Sequence, residues 1–214
     1  MNLLANHVPE TVLLASWLEE HGVSRDLQKY YLKSGWLEHF GFGVFKRPNE
    51  NVQWYGAISS IQRQTDLLVH VGGLTSISLQ GLAHYARLGK ESLYMFSPQY
   101  AKLPKWFLDQ EWGSQVNHVK TKFLPLDLAL FEYKVGSIRL QISSPERAIL
   151  ECLYLTPNDF DFVECYQVFE GLSNLRPKLL QELLEACTSI KVKRLFLYMA
   201  DKAKHQWLPF VDQT

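Results

Sequence analysis

The stretch Gly22-Val23-Ser24-Arg25-Asp26-Leu27-Gln28-Lys29-Tyr30-Tyr31-Leu32-Lys33-Ser34-Gly35 decides how the first third of the chain is read. Ser24 is a good helix N-cap, because its hydroxyl can accept from a backbone N–H of the first turn. Gly35 is a good stop, because helices often end on a residue with positive φ. A helix over 25–33 is expected between them. Upstream, Pro9 to His21 is apolar at Val12, Leu13, Ala15, Trp17 and Leu18, which is helical spacing. Two helices joined by a tight turn at Gly22-Val23 form a helix-turn-helix candidate. Downstream, Trp36 to Pro48 holds two aromatic-rich runs around Gly41-Phe42-Gly43, the pattern of a hairpin that Pro48 stops. Asn51 can cap a third helix whose packed side carries Val52, Trp54, Tyr55, Ile58 and Ile61.

The charges within this segment point to a ligand. Arg25, Lys29 and Lys33 stand at i, i+4 and i+8 and share one helix face, which Gln28 joins. Leu27, Tyr30 and Tyr31 lie on the other side and can pack inward. Lys46 and Arg47 follow the hairpin turn. A helix entering the major groove needs an exposed face of donors, and a wing needs a cation near its tip. A phosphate could also sit at the capped N-terminus at Ser24. The expected DNA-binding set is therefore Ser24, Arg25, Gln28, Lys29, Lys33, Lys46 and Arg47. The other reading is an ordinary solvated helix face. Leu32 breaks the polar pattern, since its angular position is close to that of Arg25.

The rest of the 214 residues bounds the function class. With 22 Lys+Arg against 22 Asp+Glu, the chain does not coat nucleic acid by bulk charge, so any polyanion site is a local patch. Cys152, Cys165 and Cys187 are an odd number, far apart, with no C-x-x-C pair, which suits a reducing compartment. The N-terminus lacks the charged and apolar regions of a signal peptide. The window Leu67 to Ala86, although free of charge, is too rich in Gly, His and Gln to sit in lipid. The expectation is a cytoplasmic protein with no membrane partner.

From residue 67 the pattern alternates. Helical character runs over Leu74 to Ala86 and Pro104 to Gln110. Strand character runs over Ser92 to Phe96, Val116 to Lys122, Ala129 to Val135 and Ile138 to Ile142, the last two joined at Gly136-Ser137. Ser144-Pro145-Glu146 opens a buried helix: N-cap, Pro at the first position, acid in the first turn. Three further helices are expected near 160–171, 175–188 and 191–205. The fold class is α+β, with a winged helix-turn-helix over 1–66 and a C-terminal mixed sheet-and-helix domain over 67–214. The closing segment carries Lys191, Lys193, Arg194, Lys202 and Lys204 against Asp201, a second candidate polyanion-binding patch; attraction to the acidic segment 145–170, or plain solvation, is the plainer reading.

Catalytic patterns are thin. The seven histidines show neither H-x-x-x-H nor H-E-x-x-H, so no metal site and no cofactor is expected. Gly72-Gly73 before a helix lacks the rest of a phosphate loop, and no G-x-S-x-G is present. Asp159-Phe160-Asp161 would hold Mg²⁺ if it lay on a strand; the plainer reading is that one of the two carboxylates caps the next helix.

Several blocks in one order resemble the AbiEi antitoxin family of type IV toxin–antitoxin (abortive infection, phage defence) systems. They are Thr11 to Leu18, Gly22-Val23-Ser24-Arg25, Ser34-Gly35-Trp36-Leu37, Phe45-Lys46-Arg47-Pro48, His70-Val71-Gly72-Gly73-Leu74-Thr75, and Ser143 to Glu151. The resemblance implies a non-enzymatic transcriptional regulator. Its N-terminal winged helix-turn-helix would bind inverted repeats in its own promoter, double-stranded DNA, and repress transcription. Its C-terminal domain would counter a nucleotidyltransferase toxin, commonly without a stable complex. The recognition helix falls on Ser24 to Ser34 and the wing on Trp36 to Arg47. The chain is expected to be a monomer in solution, with room for cooperative binding on DNA. The alternative is an interaction protein that acts on toxin or RNA through its C-terminal domain, with the helix-turn-helix as scaffold.

Overall fold

The computed structural model describes residues 7–83 and 92–212. They divide into two compact units. The first comprises the chain up to Leu68 together with 102–113 and 132–141, and the second takes 69–101, 114–131 and 142 onward.

The first unit opens with β1 (Leu13–Leu14) and α1 (Ala15–Glu20). Helical spacing over Pro9 to His21 thus applies only from Ala15. Leu13 and Leu14 just before it are a strand, with Leu13 opposite Phe45 and Leu14 opposite Val44. A short run in which every residue is apolar fits a buried strand as well as a buried helix, and here pairing decides. Helix α2 (Arg25–Lys33) follows, then the hairpin β2 (Glu38–Gly41) and β3 (Val44–Lys46), then α3 (Trp54–Gln64), whose N-cap position is Gln53 rather than Asn51 and carries no side-chain cap. The sheet order is β1-β3-β2.

Side chains of α3 take the place of a strand on the open edge of β1. Ser60 Oγ accepts from Val12 N at 3.0 Å and donates to Val12 O at 2.8 Å. Gln64 Oε1 accepts from Leu14 N at 2.8 Å, and its Nε2 donates to Val12 O at 2.7 Å. These bonds satisfy backbone groups that burial would otherwise leave orphaned. The core beneath is Leu13, Leu18, Val23, Leu37 and Phe45, with Leu27, Tyr31 and Leu32 packed against it. Leu32 therefore faces inward.

A mixed five-stranded sheet comprises β4 (His70–Val71), β5 (Ser92–Ser97), β6 (Gln115–Lys120), β7 (Leu130–Val135) and β8 (Ile138–Ser143), in the order β6-β5-β4-β8-β7. The second unit holds β4, β5 and β6 whole, while residues 132–141 of β7 and β8 count with the first. Strand β5 runs antiparallel to β4 and parallel to β6, while β4 is parallel to β8. Helix α4 (Gly73–Leu79) ends earlier than the expected 74–86, where Gly81 adopts a positive φ of 70° and Leu82 N donates to Ile77 O; the part of that expectation beyond Ala83 lies outside the described residues. The short α5 (Lys105–Leu108) belongs to the first unit. Helix α6 (Pro145–Leu155) is capped by Ser144, as its sequence requires, and buries Ala148, Ile149, Leu150, Cys152 and Leu153. Helices α7 (Phe162–Gly171), α8 (Pro177–Ala186) and α9 (Ile190–Ala203) complete the core around Phe169, Phe196 and Trp207. Helices and sheets segregate as an α+β fold. Among the described residues, no helix is long and apolar enough to cross a membrane.

Candidate nucleic-acid interface

Helix α2 is fastened at both ends. Ser24 Oγ accepts from Leu27 N at 3.3 Å. At the other end Trp36 N donates to Tyr31 O and Gly35 N to Leu32 O, with Gly35 at a φ of 73°. That pair of bonds satisfies the last carbonyls, and it needs a residue that accepts the left-handed region. The Trp36 ring stacks on Tyr31, centroids 6.4 Å apart, which fixes where the chain leaves the helix.

Three of the expected cations point to solvent from this rod. Arg25 is exposed, and its Nε donates to Glu19 Oε1 at 2.8 Å; that bond and the Glu19 charge raise the guanidinium above its ordinary value. Lys29 is exposed and lies 3.1 Å from Asp26 Oδ1. Lys33 is exposed in the last turn. Exposed ion pairs of this kind contribute within about 1 kcal/mol, so phosphate oxygens can replace the carboxylates at little cost.

Gln28 does not belong with them. It is only 4% exposed, and its Nε2 donates to Ala15 O at 3.1 Å and Val23 O at 3.0 Å. At 100° per residue it sits on the flank of α2 that turns toward α1. There it ties the two helices together. Tyr30, expected to pack inward, is 63% exposed.

The wing differs from its expected form. Its tip is Phe42-Gly43, and its cations sit at the base. Lys46 stands across from Glu38, with Nζ 2.9 Å from Glu38 Oε1 and 2.8 Å from Glu50 O. Lys46 thus closes the bottom of the hairpin. Arg47 is half-buried just beyond it. At the tip Phe42 is 100% exposed. Composition alone gave no signal of this, since aromatic residues in a hairpin read first as core.

The basic residues of the last helix scatter as well. Lys191 Nζ donates to Tyr154 O at 2.6 Å and Thr156 O at 2.8 Å, capping the carbonyl end of α6, and burial lowers its pKa. Arg194 and Lys202 fall on one exposed face with Tyr198 between them, Lys202 Nζ lying 5.9 Å from the Tyr198 ring centre. Lys193 is half-buried and projects elsewhere around the helix. Lys204 is the exposed left-handed cap residue, with φ 51°. Five cations reduce to a pair on one helix face with Lys204 beyond its end.

Two of the motif blocks meet in the second unit, in a network that sequence reading did not assemble. The fully buried Glu151 carboxylate has Oε1 2.8 Å from His70 Nε2 and 2.8 Å from Arg147 Nε; its Oε2 accepts from Gly73 N and from Ser143 Oγ, each at 2.8 Å. Arg147 also donates to Pro125 O and Leu128 O. Burial pushes the Glu151 pKa up, but His70, Arg147 and the Gly73 N–H outweigh it and hold the pKa at about 2. The Gly72-Gly73 turn thus receives an anion, and that anion is the chain's own side chain. The neighbouring Glu146 is clasped by Arg176 at 2.9 Å. Asp159 and Asp161 lie on no strand; Asp161 caps α7 by accepting from Glu164 N at 2.9 Å. Among the described residues no three His, Cys, Asp or Glu side chains converge as metal ligands.

Residues 1–88 match the family described as "Transcriptional regulator, AbiEi antitoxin N-terminal domain". Residues 90–214 match "Transcriptional regulator, AbiEi antitoxin, Type IV TA system". No curated protein matches. The fold is similar to that in the crystal structure of the RV2827C protein from Mycobacterium tuberculosis, with a TM-score of 0.60 and 14% identity over 99% of this chain and 80% of that one. At that identity the likeness concerns the fold alone. With matches running through both halves of the sequence, the chain belongs to the AbiEi antitoxin family, transcriptional-regulator antitoxins of type IV toxin–antitoxin systems.

Proposed function

We propose that this antitoxin binds inverted repeats in its own promoter through α2 and the β2–β3 wing, represses transcription there, and counters a nucleotidyltransferase toxin through its C-terminal part. The observation that carries the reading is the outward face of α2, where Arg25, Lys29 and Lys33 stand exposed on a helix tied down at both ends. Arg25, in the first turn, is placed to read a guanine edge, and Lys29 and Lys33 to hold phosphates. Ser24 leaves the capped N-terminus of α2 open to a phosphate, and Arg47 stands at the base of the wing. Gln28 and Lys46 act by holding the fold rather than by touching DNA.

DNA reading is assigned to residues 1–66 and toxin neutralisation to 67–214. Segment 102–113 packs in the same compact unit as the wing, so the full chain is the proper test material. The chain acts on the duplex as a monomer that can bind cooperatively. The test is a mobility-shift titration of the full chain on its own promoter duplex, with an unrelated duplex as control. Binding the promoter no better than the control would overturn the reading.

A second reading, action on a polyanion through the C-terminal part, draws its support from Arg194, Tyr198 and Lys202 on one face of α9. Charge reversal there, followed by a toxin-rescue assay, separates it from the first.

A further inference from the structure

The tip of the wing is built around a side chain that contributes nothing to the fold. Phe42 occupies the first position of a two-residue turn between Gly41 and Val44 and is 100% exposed. Such turns favour Asn, Asp or Gly for their backbone freedom, and Gly43, at φ 68°, supplies that freedom here. A phenylalanine in that place buries no apolar area.

Its support, by contrast, is rigid on both sides. On one side Gly41 lies so close to α5 that a Cβ there would come within 2.9 Å of Trp106 Cβ. The Phe40 ring meets Trp106 edge-on at 6.1 Å and Trp112 at 6.2 Å, and Gln110 Nε2 donates to Phe40 O at 3.1 Å. On the other side Ala15 N, at the start of α1, donates to Gly43 O at 2.9 Å. The cation nearest the tip on β3, Lys46, is turned back toward Glu38 and Glu50. An exposed aromatic ring is thus held by a braced turn that carries no charge at its end.

We propose that Phe42 is a wedge that enters the minor groove beside the recognition helix and unstacks one base step. The proposal rests on the reading of this unit as a duplex-DNA binder, and deepens it by naming what the wing does. An apolar side chain that inserts between bases trades stacking for stacking, and needs a support that does not yield under the load. Flexible pyrimidine–purine steps are the cheapest to open, so Phe42 makes the wing select such a step without a hydrogen bond to any base.

The experiment uses the full chain and a set of promoter duplexes, each with 2-aminopurine at one adenine. Binding of the parent chain should raise the fluorescence at one position in each repeat and nowhere else. Phe42→Ala should abolish that rise and weaken binding roughly tenfold, as expected for one lost ring–base stack. The weakening should be equal at every salt concentration, because no phosphate contact is removed. Phe42→Leu should keep most of the affinity. Parent binding with no fluorescence rise, or Phe42→Ala binding as tightly as the parent, overturns the wedge and leaves the DNA-binding reading standing. A change in oligomeric state with Phe42→Ala, and no change in affinity per bound unit, reassigns the ring to a contact between copies. Failure of the parent to prefer its promoter overturns both.

Discussion

The side-chain amide of Gln28 reaches across the helix-turn-helix to the carbonyl of Ala15, 3.1 Å away, and in the same stroke donates to Val23 O. A residue of α2 is thereby spent on holding that helix against α1. Replacing Gln28 with Ala leaves two carbonyls short of a donor in a buried place, at a cost of about 1–3 kcal/mol. Gln28→Ala should lower the thermal midpoint of the first unit, and its loss of DNA affinity should follow the unfolded fraction. Arg25→Ala should melt like the parent and still lose affinity. Circular dichroism melts alongside titrations on the promoter duplex distinguish the two.

Gly56 of α3 faces the backbone of Glu10, so closely that an added Cβ would overlap the Glu10 carbonyl oxygen. The obstacle is main chain and cannot swing aside. Gly56→Ala should therefore push α3 away from β1, strain the Ser60 and Gln64 bonds to Val12 and Leu14, and destabilise the unit by about 1–3 kcal/mol. Accelerated proteolysis within the first 65 residues would reveal it; unchanged protection would show that the approach is looser than described.

Acid should act chiefly through Glu151. Its pKa falls from an ordinary 4.5 to about 2 in the folded chain. A depressed carboxylate contributes stability that is fully present above the unfolded value and is lost as pH falls toward the folded one. The window is therefore roughly pH 4.5 down to 2, and the contribution is on the order of 3 kcal/mol. Glu151→Gln should destabilise the chain at neutral pH, since Arg147 keeps a buried charge without its partner. It should also flatten the acid limb of the stability curve across that window. An unchanged acid limb in urea titrations at several pH values would contradict the assignment.

Repression and toxin neutralisation should come apart. Arg25→Ala with Lys29→Ala should derepress the promoter, yet rescue cells from toxin expressed from a separate plasmid. Arg194→Glu with Lys202→Glu should fold normally, because exposed substitutions cost within about ±0.5 kcal/mol, and the toxin-rescue assay then reports on α9 alone. Lys191→Ala, which frees the carbonyl end of α6, should instead lower stability.

Much of this architecture was legible in the sequence, for reasons that particular residues make plain. Ser24, Gly35, Ser144 and Pro145 act within one turn of chain, so the ends of α2 and the start of α6 follow from local chemistry. The apolar run Val12-Leu13-Leu14 satisfies both helical and strand periods, and only its pairing with Val44 and Phe45 resolves it. Spacing places Gln28 beside Lys29, but its burial depends on α1, thirteen residues away at Ala15. The union of His70, Gly73, Ser143 and Glu151 spans some eighty positions, beyond any local pattern. Lys46 could be read as a wing cation because its partners, Glu38 and Glu50, are brought to it only by the closed hairpin.

The salt dependence of promoter binding tests the central claim most directly. The affinity of the full chain for its promoter duplex is measured from low to physiological salt, for the parent, for Lys29→Ala, for Lys33→Ala, and for Arg194→Glu with Lys202→Glu. If α2 carries the interface, each single lysine change lowers the slope of log affinity against log salt by about one, and the α9 variant leaves it unaltered. Slopes unmoved by Lys29 and Lys33, with binding lost only in the α9 variant, would place the DNA on the other unit and contradict the account.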